Sequence, residues 1–371
     1  MTRTPSRWHL QYVPALDGVR AIAVLLVILS HAGAPGVTGN VGVDMFFVLS
    51  GFLITSLLLE EMDANGRINV LHFYVRRALR LYPALLLMLF LYGLSMYLLR
   101  HRLPAGGLLE AAKDITFAAL YLTDYAVAFG FQPRGSLIAH TWSLAVEEHF
   151  YLVWPWALIA LNRACKGRSL LMALLGLFVA ATAWRLLCLY FQPWENVYFR
   201  FDTRMAGLVL GSLLAACRAR SIKITGIDVW LALSGIACAI LVVATPSMAM
   251  TTATTTVTEV FTFFLIYKIT DAETWRPVRA LGHRIPVFFG RLSYALYLSH
   301  FPITALLIRS DVPWWISLEV TMALSVAFAW FSWNTVERVG RLKARDFRST
   351  GPRGQSASES GRSEYKKNNQ A

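Results

Sequence analysis

An aspartate, an arginine and a histidine share the first apolar run of the chain, residues 16–35: Asp17, Arg20 and His31. Ionisable side chains at bilayer depth are costly, and those that persist there tend to serve function. If the run is a helix, the step from Arg20 to His31 turns through about 1100°, three turns plus about 20°, and rises about 16 Å. The two side chains then lie on one face, with Asp17 one turn below Arg20. The chemistry on offer is a cation near one end of a helix and a titratable base near the other. A salt-bridged arginine and a hydrogen-bonded core histidine would leave the same pattern without catalysis.

Further polar residues sit at comparable depth. The next run opens Gly42-Val43-Asp44-Met45-Phe46-Phe47. Asp44 lies about one turn in, as His31 does across a short loop. A carboxylate on one ring nitrogen would set the tautomer of His31 and raise the basicity of the other nitrogen. A helix-capping aspartate is the plainer reading. Downstream, Phe73-Tyr74-Val75-Arg76-Arg77-Ala78-Leu79-Arg80 carries three arginines in five residues. A helix aims Arg76 and Arg80 the same way, and guanidinium groups suit bidentate phosphate contacts. A topology anchor touching anionic lipid is the alternative.

The run His140-Thr141-Trp142-Ser143-Leu144-Ala145-Val146-Glu147-Glu148-His149 puts two adjacent carboxylates one turn into an apolar stretch. They could do acid/base work or orient a histidine. Neighbours on a helix point about 100° apart, so one of the two is expected to face the reacting centre. The pattern lacks the His-Glu-x-x-His spacing of a zinc site, and no metal is expected. His300, with Tyr297 one turn before it, and Asp202 at the head of another run complete the set.

The elements that must position these residues follow from composition. The chain has 371 residues, 56% hydrophobic and 15% charged, against about 25% charged in soluble domains. Its mean hydropathy is +0.49. That places it among integral membrane proteins. A net charge of +13 would also suit nucleic acid. The basic residues, however, fall between and after apolar runs, where they act as topology signals.

Ten runs approach the roughly 20 residues a spanning helix needs: about 16–35, 41–61, 81–99, 144–162, 169–190, 204–217, 227–246, 254–270, 286–308 and 314–335. An eleventh, 111–131, carries Lys113, Asp114 and Asp124. Leaving it out, with the N-terminus cytoplasmic, puts most Lys and Arg on the cytoplasmic side, whereas including it inverts the bias. The expectation is an all-α membrane protein of about ten transmembrane helices with both termini cytoplasmic. Residues 100–143 are then extracytoplasmic, either on the surface or re-entrant.

Residues 1–13 read as a cytoplasmic N-terminus, 14–340 as the transmembrane domain, and 341–371 as a basic, disordered tail. The first run reads as a signal anchor, without a cleavable signal peptide. Cys165, Cys188, Cys217 and Cys238 form no metal or redox pattern and read as apolar filler.

Five blocks together resemble the membrane acyltransferase 3 family, which includes O-antigen and exopolysaccharide O-acetyltransferases. They are Leu16-Asp17-Gly18-Val19-Arg20-Ala21 with His31, Val41 to Phe52, Phe73 to Pro83, His140 to Tyr151, and Leu292 to Pro302. The resemblance implies acyl transfer from cytoplasmic acyl-CoA, with acetyl as the first expectation, to a hydroxyl of a cell-envelope glycan, glycolipid or polyol. Acyl-CoA enters as co-substrate, with no bound cofactor. The expected setting is a multi-pass protein of the bacterial cytoplasmic (inner) membrane, with no nucleic-acid partner.

His31 is then the expected base, or the site of a transient acyl-histidine, held by Asp44 or Glu148, with Glu147 beside it. Arg20, Arg76, Arg77 and Arg80 would meet the CoA phosphates, with Asp17 supporting Arg20. His140, Trp142, Tyr297, His300 and Asp202 would face the acceptor. His149 stands where many relatives carry Gln, and Ser299 where an aromatic is frequent. Some relatives append an extracytoplasmic esterase-like domain. Without one, the membrane unit would complete the reaction itself or with a partner. A transporter or flippase of a glycolipid or small acid could use the same charges as a relay, but the paired repeats common in transporters are not apparent.

Overall fold

The structure, a computed structural model, describes residues 11–102, 104–165, 167–243, 248–271 and 276–347. Most of the expected N-terminal segment, and residues 348–371 of the expected tail 341–371, lie outside the described residues, while residues 341–347 of that tail are helical rather than disordered. Sixteen α-helices follow one another, and no strand forms among the described residues.

The first three helices are α1 (Pro14–His31), α2 (Gly39–Asn65) and α3 (Val70–Leu98). Proline at the first position starts α1, where its missing N–H costs nothing. Gly66 closes α2 in the left-handed conformation at φ 71°, which favours glycine. The Asn69 side chain caps α3 by accepting from the His72 N–H at 3.0 Å.

Next come α4 (Gly107–Ala119), α5 (Thr123–Ala128), α6 (Trp142–Ala164), α7 (Arg168–Phe191), α8 (Trp194–Tyr198), α9 (Phe201–Arg204) and α10 (Ala206–Ala219). The remainder are α11 (Ile227–Val243), α12 (Met248–Asp271), α13 (Arg276–Leu281), α14 (Arg284–Arg309), α15 (Trp314–Asn334) and α16 (Val336–Ala344).

Five of the ten expected runs form helices long and apolar enough to cross a bilayer. They are α1, α2, α3, α7 and the Trp314–Phe347 stretch that begins with α15. The other five also fold as helices. Of these, α10 and α11 are shorter, and α6, α12 and α14 are less apolar, since they carry Glu147, Glu148, Glu259, Arg291 and His300. The helical content and the apolar helices make this a multi-pass membrane protein.

The eleventh candidate, 111–131, forms no spanning helix. It breaks at Tyr121, φ 54°, into α4 and α5, of 13 and 6 residues. Thirteen residues reach only about 20 Å of the roughly 30 Å hydrocarbon core. A polar knot folds this segment onto α3: the Asp114 carboxylate accepts from Ser136 Oγ at 2.5 Å and from Tyr92 Oη at 3.5 Å. Burial pushes the Asp114 carboxyl above its ordinary range.

At the centre α1 packs between α2 and α14, α2 lies along α10, and α14 along α15. Glycine permits three of these approaches, Gly42 letting α2 lie against the Ala23 carbonyl oxygen of α1. A β-carbon at Gly290 would collide with the Asp17 carbonyl oxygen, and one at Gly51 with the Leu208 carbonyl oxygen. Close backbone contact of this kind substitutes for the hydrophobic drive that helices lack inside lipid. It lays α14 alongside α1, which brings residues 269 positions apart into contact.

Candidate active site

His31 ends α1 half-buried, and its Nδ1 lies 2.9 Å from Nε2 of His300 on α14. The two ring planes are 28° apart and meet edge to edge with centroids 5.1 Å apart, and Phe301 meets the His31 ring edge-on at 4.8 Å. His300 Nδ1 lies 2.6 Å from the Tyr297 carbonyl oxygen. His140 packs beside them, 5.4 Å from the His300 ring, with its Nε2 3.2 Å from the Leu298 carbonyl. The Tyr297 hydroxyl donates to the His140 carbonyl at 3.0 Å and shares a 2.6 Å hydrogen bond with Ser143. His31, His140, Tyr297 and His300 therefore form one cluster. Among the described residues no group of His, Cys, Asp and Glu is arranged to hold a metal ion.

A charged cluster continues from it along α6. Ser143, Glu147 and Tyr151 recur every four residues, about 6 Å apart along the axis and on one face. Glu147 accepts from Ser50 at 2.8 Å and from Tyr151 Oη at 3.2 Å. Glu148 faces Arg77 at 3.8 Å, and the Arg77 guanidinium sits 3.6 Å from the Tyr151 ring centroid. The arginine block and the Glu147-Glu148 pair lie far apart in sequence; the structure joins them where Arg77, early in α3, meets Glu148, early in α6.

The arginines are not equivalent. Arg20 pairs with Asp17 at 2.9 Å, and Asp17 also accepts from Tyr12 Oη at 2.7 Å. Arg76 pairs with Glu61 at 3.0 Å and donates to the Phe347 carbonyl at 2.7 Å. Arg80 is exposed, lies within electrostatic reach of Arg20 and Arg77, and forms no ion pair among the described residues.

Asp44 does not hold His31. It is fully buried against Arg204 at 2.5 Å, and Arg204 also donates to Thr255 at 2.9 Å. Glu148, the other expected holder, is engaged by Arg77. The partner of His31 is an imidazole because α14, not the start of α2, lies against that ring. Trp142 also falls in the Asp44 cluster, edge-on to Phe47 and Phe199 and tilted against Tyr198, with Arg204 5.7 Å from its ring. Asp202 lies apart from the histidines, accepting from Trp184 Nε1 at 2.8 Å and from Arg200. His149 meets the buried Asp124 at 3.0 Å, and Ser299 turns back to the Ala295 carbonyl at 2.9 Å.

Sequence reasoning missed a second buried pair, Arg185 on α7 with Glu259 on α12, at 3.2 and 3.3 Å. Arg185 is the lone charge of the run 169–190, and Glu259 shares the run 254–270 only with Lys268 near its end; that was the available signal. Glu259 is close enough to Asp44 to act on it electrostatically, so the two pairs form one network.

A family profile described as an acyltransferase domain matches residues 13–334. A Staphylococcus aureus (strain MRSA252) protein, provisionally named an O-acetyltransferase, is 30% identical over 92% of this chain and 60% of its own length. The O-acetyltransferase OatA of Staphylococcus aureus (strain NCTC 8325 / PS 47) is 34% identical over 55% of this chain and 34% of its own length. The chain thus spans about 60% of the first of these relatives. No solved structure matches it significantly.

Proposed function

This chain belongs to the acyltransferase-domain family, and on that footing we propose that it is a membrane O-acyltransferase. It moves an acyl group, acetyl in the first instance, from cytoplasmic acyl-CoA to a hydroxyl of a cell-envelope glycan, glycolipid or polyol. The observation that carries the reading is the His31 ring. It is partly exposed inside an otherwise buried cluster, with one nitrogen engaged by His300 and no partner for the other among the described residues. An open ring nitrogen suits a general base.

The acceptor O–H gives its proton to His31 while its oxygen attacks the thioester carbonyl carbon. The C–S bond then breaks, and the departing CoA sulfur takes the proton back from His31. Arg80 and Arg20 receive the CoA phosphates at the other end of the α1 face, with Asp17 orienting Arg20. Ten crossings with both termini cytoplasmic, in a bacterial inner membrane, put donor and acceptor on opposite sides of this face. The transport alternative draws no support from the family or from the relatives' names.

His31→Ala abolishes transfer while the purified protein still folds and binds CoA. Wild-type acylation by that variant overturns the assignment.

A further inference from the structure

We infer that His300 is a positioning residue for His31, fixing it as the Nδ1–H tautomer and holding its Nε2 lone pair toward the acceptor hydroxyl. The inference rests on the general-base reading of His31.

The donors and acceptors follow from one end of the chain of contacts. A backbone carbonyl only accepts, so His300 Nδ1, 2.6 Å from the Tyr297 oxygen, must carry a proton. A neutral imidazole has one N–H and one acceptor. A doubly protonated His300 would be a fully buried cation with no carboxylate paired to it among the described residues, an arrangement that is strongly disfavoured. Its Nε2 is therefore the acceptor. That atom lies 2.9 Å from His31 Nδ1, which must donate. The lone pair of His31 is left on Nε2.

The orientation of His300 is itself fixed. Tyr297 and His140 flank its ring at 5.3 and 5.4 Å. Tyr297 is in turn tied to α6 through Ser143 and to the His140 carbonyl. A flipped His300 would point a C–H at the Tyr297 carbonyl and give up that hydrogen bond.

The arrangement has a chemical consequence. When the acceptor hydroxyl passes its proton to His31 Nε2, the imidazolium still donates through Nδ1, but to a neutral imidazole. No charge moves to His300. A neutral partner stabilises the imidazolium less than a carboxylate would, so His31 returns the proton readily to the departing thiolate.

The test combines a tautomer measurement with kinetics. Full-length protein with ¹⁵N-labelled histidine is reconstituted in bilayers, and the His31 ring signals are assigned by their loss in His31→Gln. The expected result is a protonated Nδ1 and a bare Nε2 on neutral His31. His300→Leu should lose that preference and lower kcat about 100-fold, with KM for acyl-CoA within about twofold. His300→Gln can place an amide oxygen where Nε2 stood, and should recover kcat to within about tenfold of wild type.

An Nε2–H tautomer in the wild type overturns the proposal. So does a His300→Leu variant with wild-type kcat, or a His300→Gln variant as slow as His300→Leu. Activity in His31→Ala would instead sink the general-base reading, while the ring signals would still report whether His300 sets the tautomer.

Discussion

Three arginines in five residues look interchangeable until their partners are known. Arg76 is engaged by Glu61 and a carbonyl, Arg77 by Glu148 and the Tyr151 ring, and Arg80 forms no ion pair among the described residues, with Asp17 and Glu337 only within electrostatic reach. A charged hydrogen bond contributes about 1.5–3 kcal/mol. Arg80→Ala should therefore raise KM for acyl-CoA about 10- to 100-fold with a small change in kcat, as steady-state kinetics at fixed salt will measure. Arg76→Ala should instead lower thermal stability, since it strands the buried Glu61 carboxylate. Equal KM effects from the two would contradict this division. The residue types of the site were legible in the sequence: His31 and His300 stand out as polar groups in apolar runs, and His140 just precedes one. Their pairing was not, because Asp44 is the nearest acid to His31 along the chain, yet its partner Arg204 is 160 residues away.

Helices were the more legible level, since apolar runs of bilayer length have few other ways to satisfy their backbone. What the pattern hid was contact between them. Gly290 lets α14 lie on α1, and the His31–His300 hydrogen bond depends on that approach. Gly290→Ala should force the helices apart, cost about 1–3 kcal/mol, and lower kcat by loosening the pair. Gly176, inside α7, has nothing within 4 Å of a built β-carbon. Gly176→Ala should be neutral or stabilising by up to about 1 kcal/mol. Thermal unfolding of both variants in nanodiscs separates a steric effect from a general intolerance of alanine. The break at Tyr121 was only half visible: Lys113, Asp114 and Asp124 argued against a span, but the turn between α4 and α5 has no Gly or Pro to announce it.

Across the whole molecule, two ion pairs bind α2, α7, α9 and α12 together: Asp44–Arg204 and Arg185–Glu259. Removing one member of a buried pair typically costs about 3–5 kcal/mol, whereas replacing both with apolar residues is often tolerated. Arg185→Leu should thus unfold well below wild type, and Arg185→Leu with Glu259→Leu should recover most of the loss in the same thermal assay. A double variant no better than the single would show that the charges act independently. The same pairing has a consequence for how the protein is made. Glu259 is synthesised 74 residues after Arg185, a delay of roughly 4–15 s at ordinary translation rates. Throughout that interval α7 presents an unmatched guanidinium to the insertion machinery, at about 2.5–3.5 kcal/mol if it reaches mid-bilayer. Pairing with Glu259 as α12 emerges removes that cost, so α7 and α12 should settle into the lipid together.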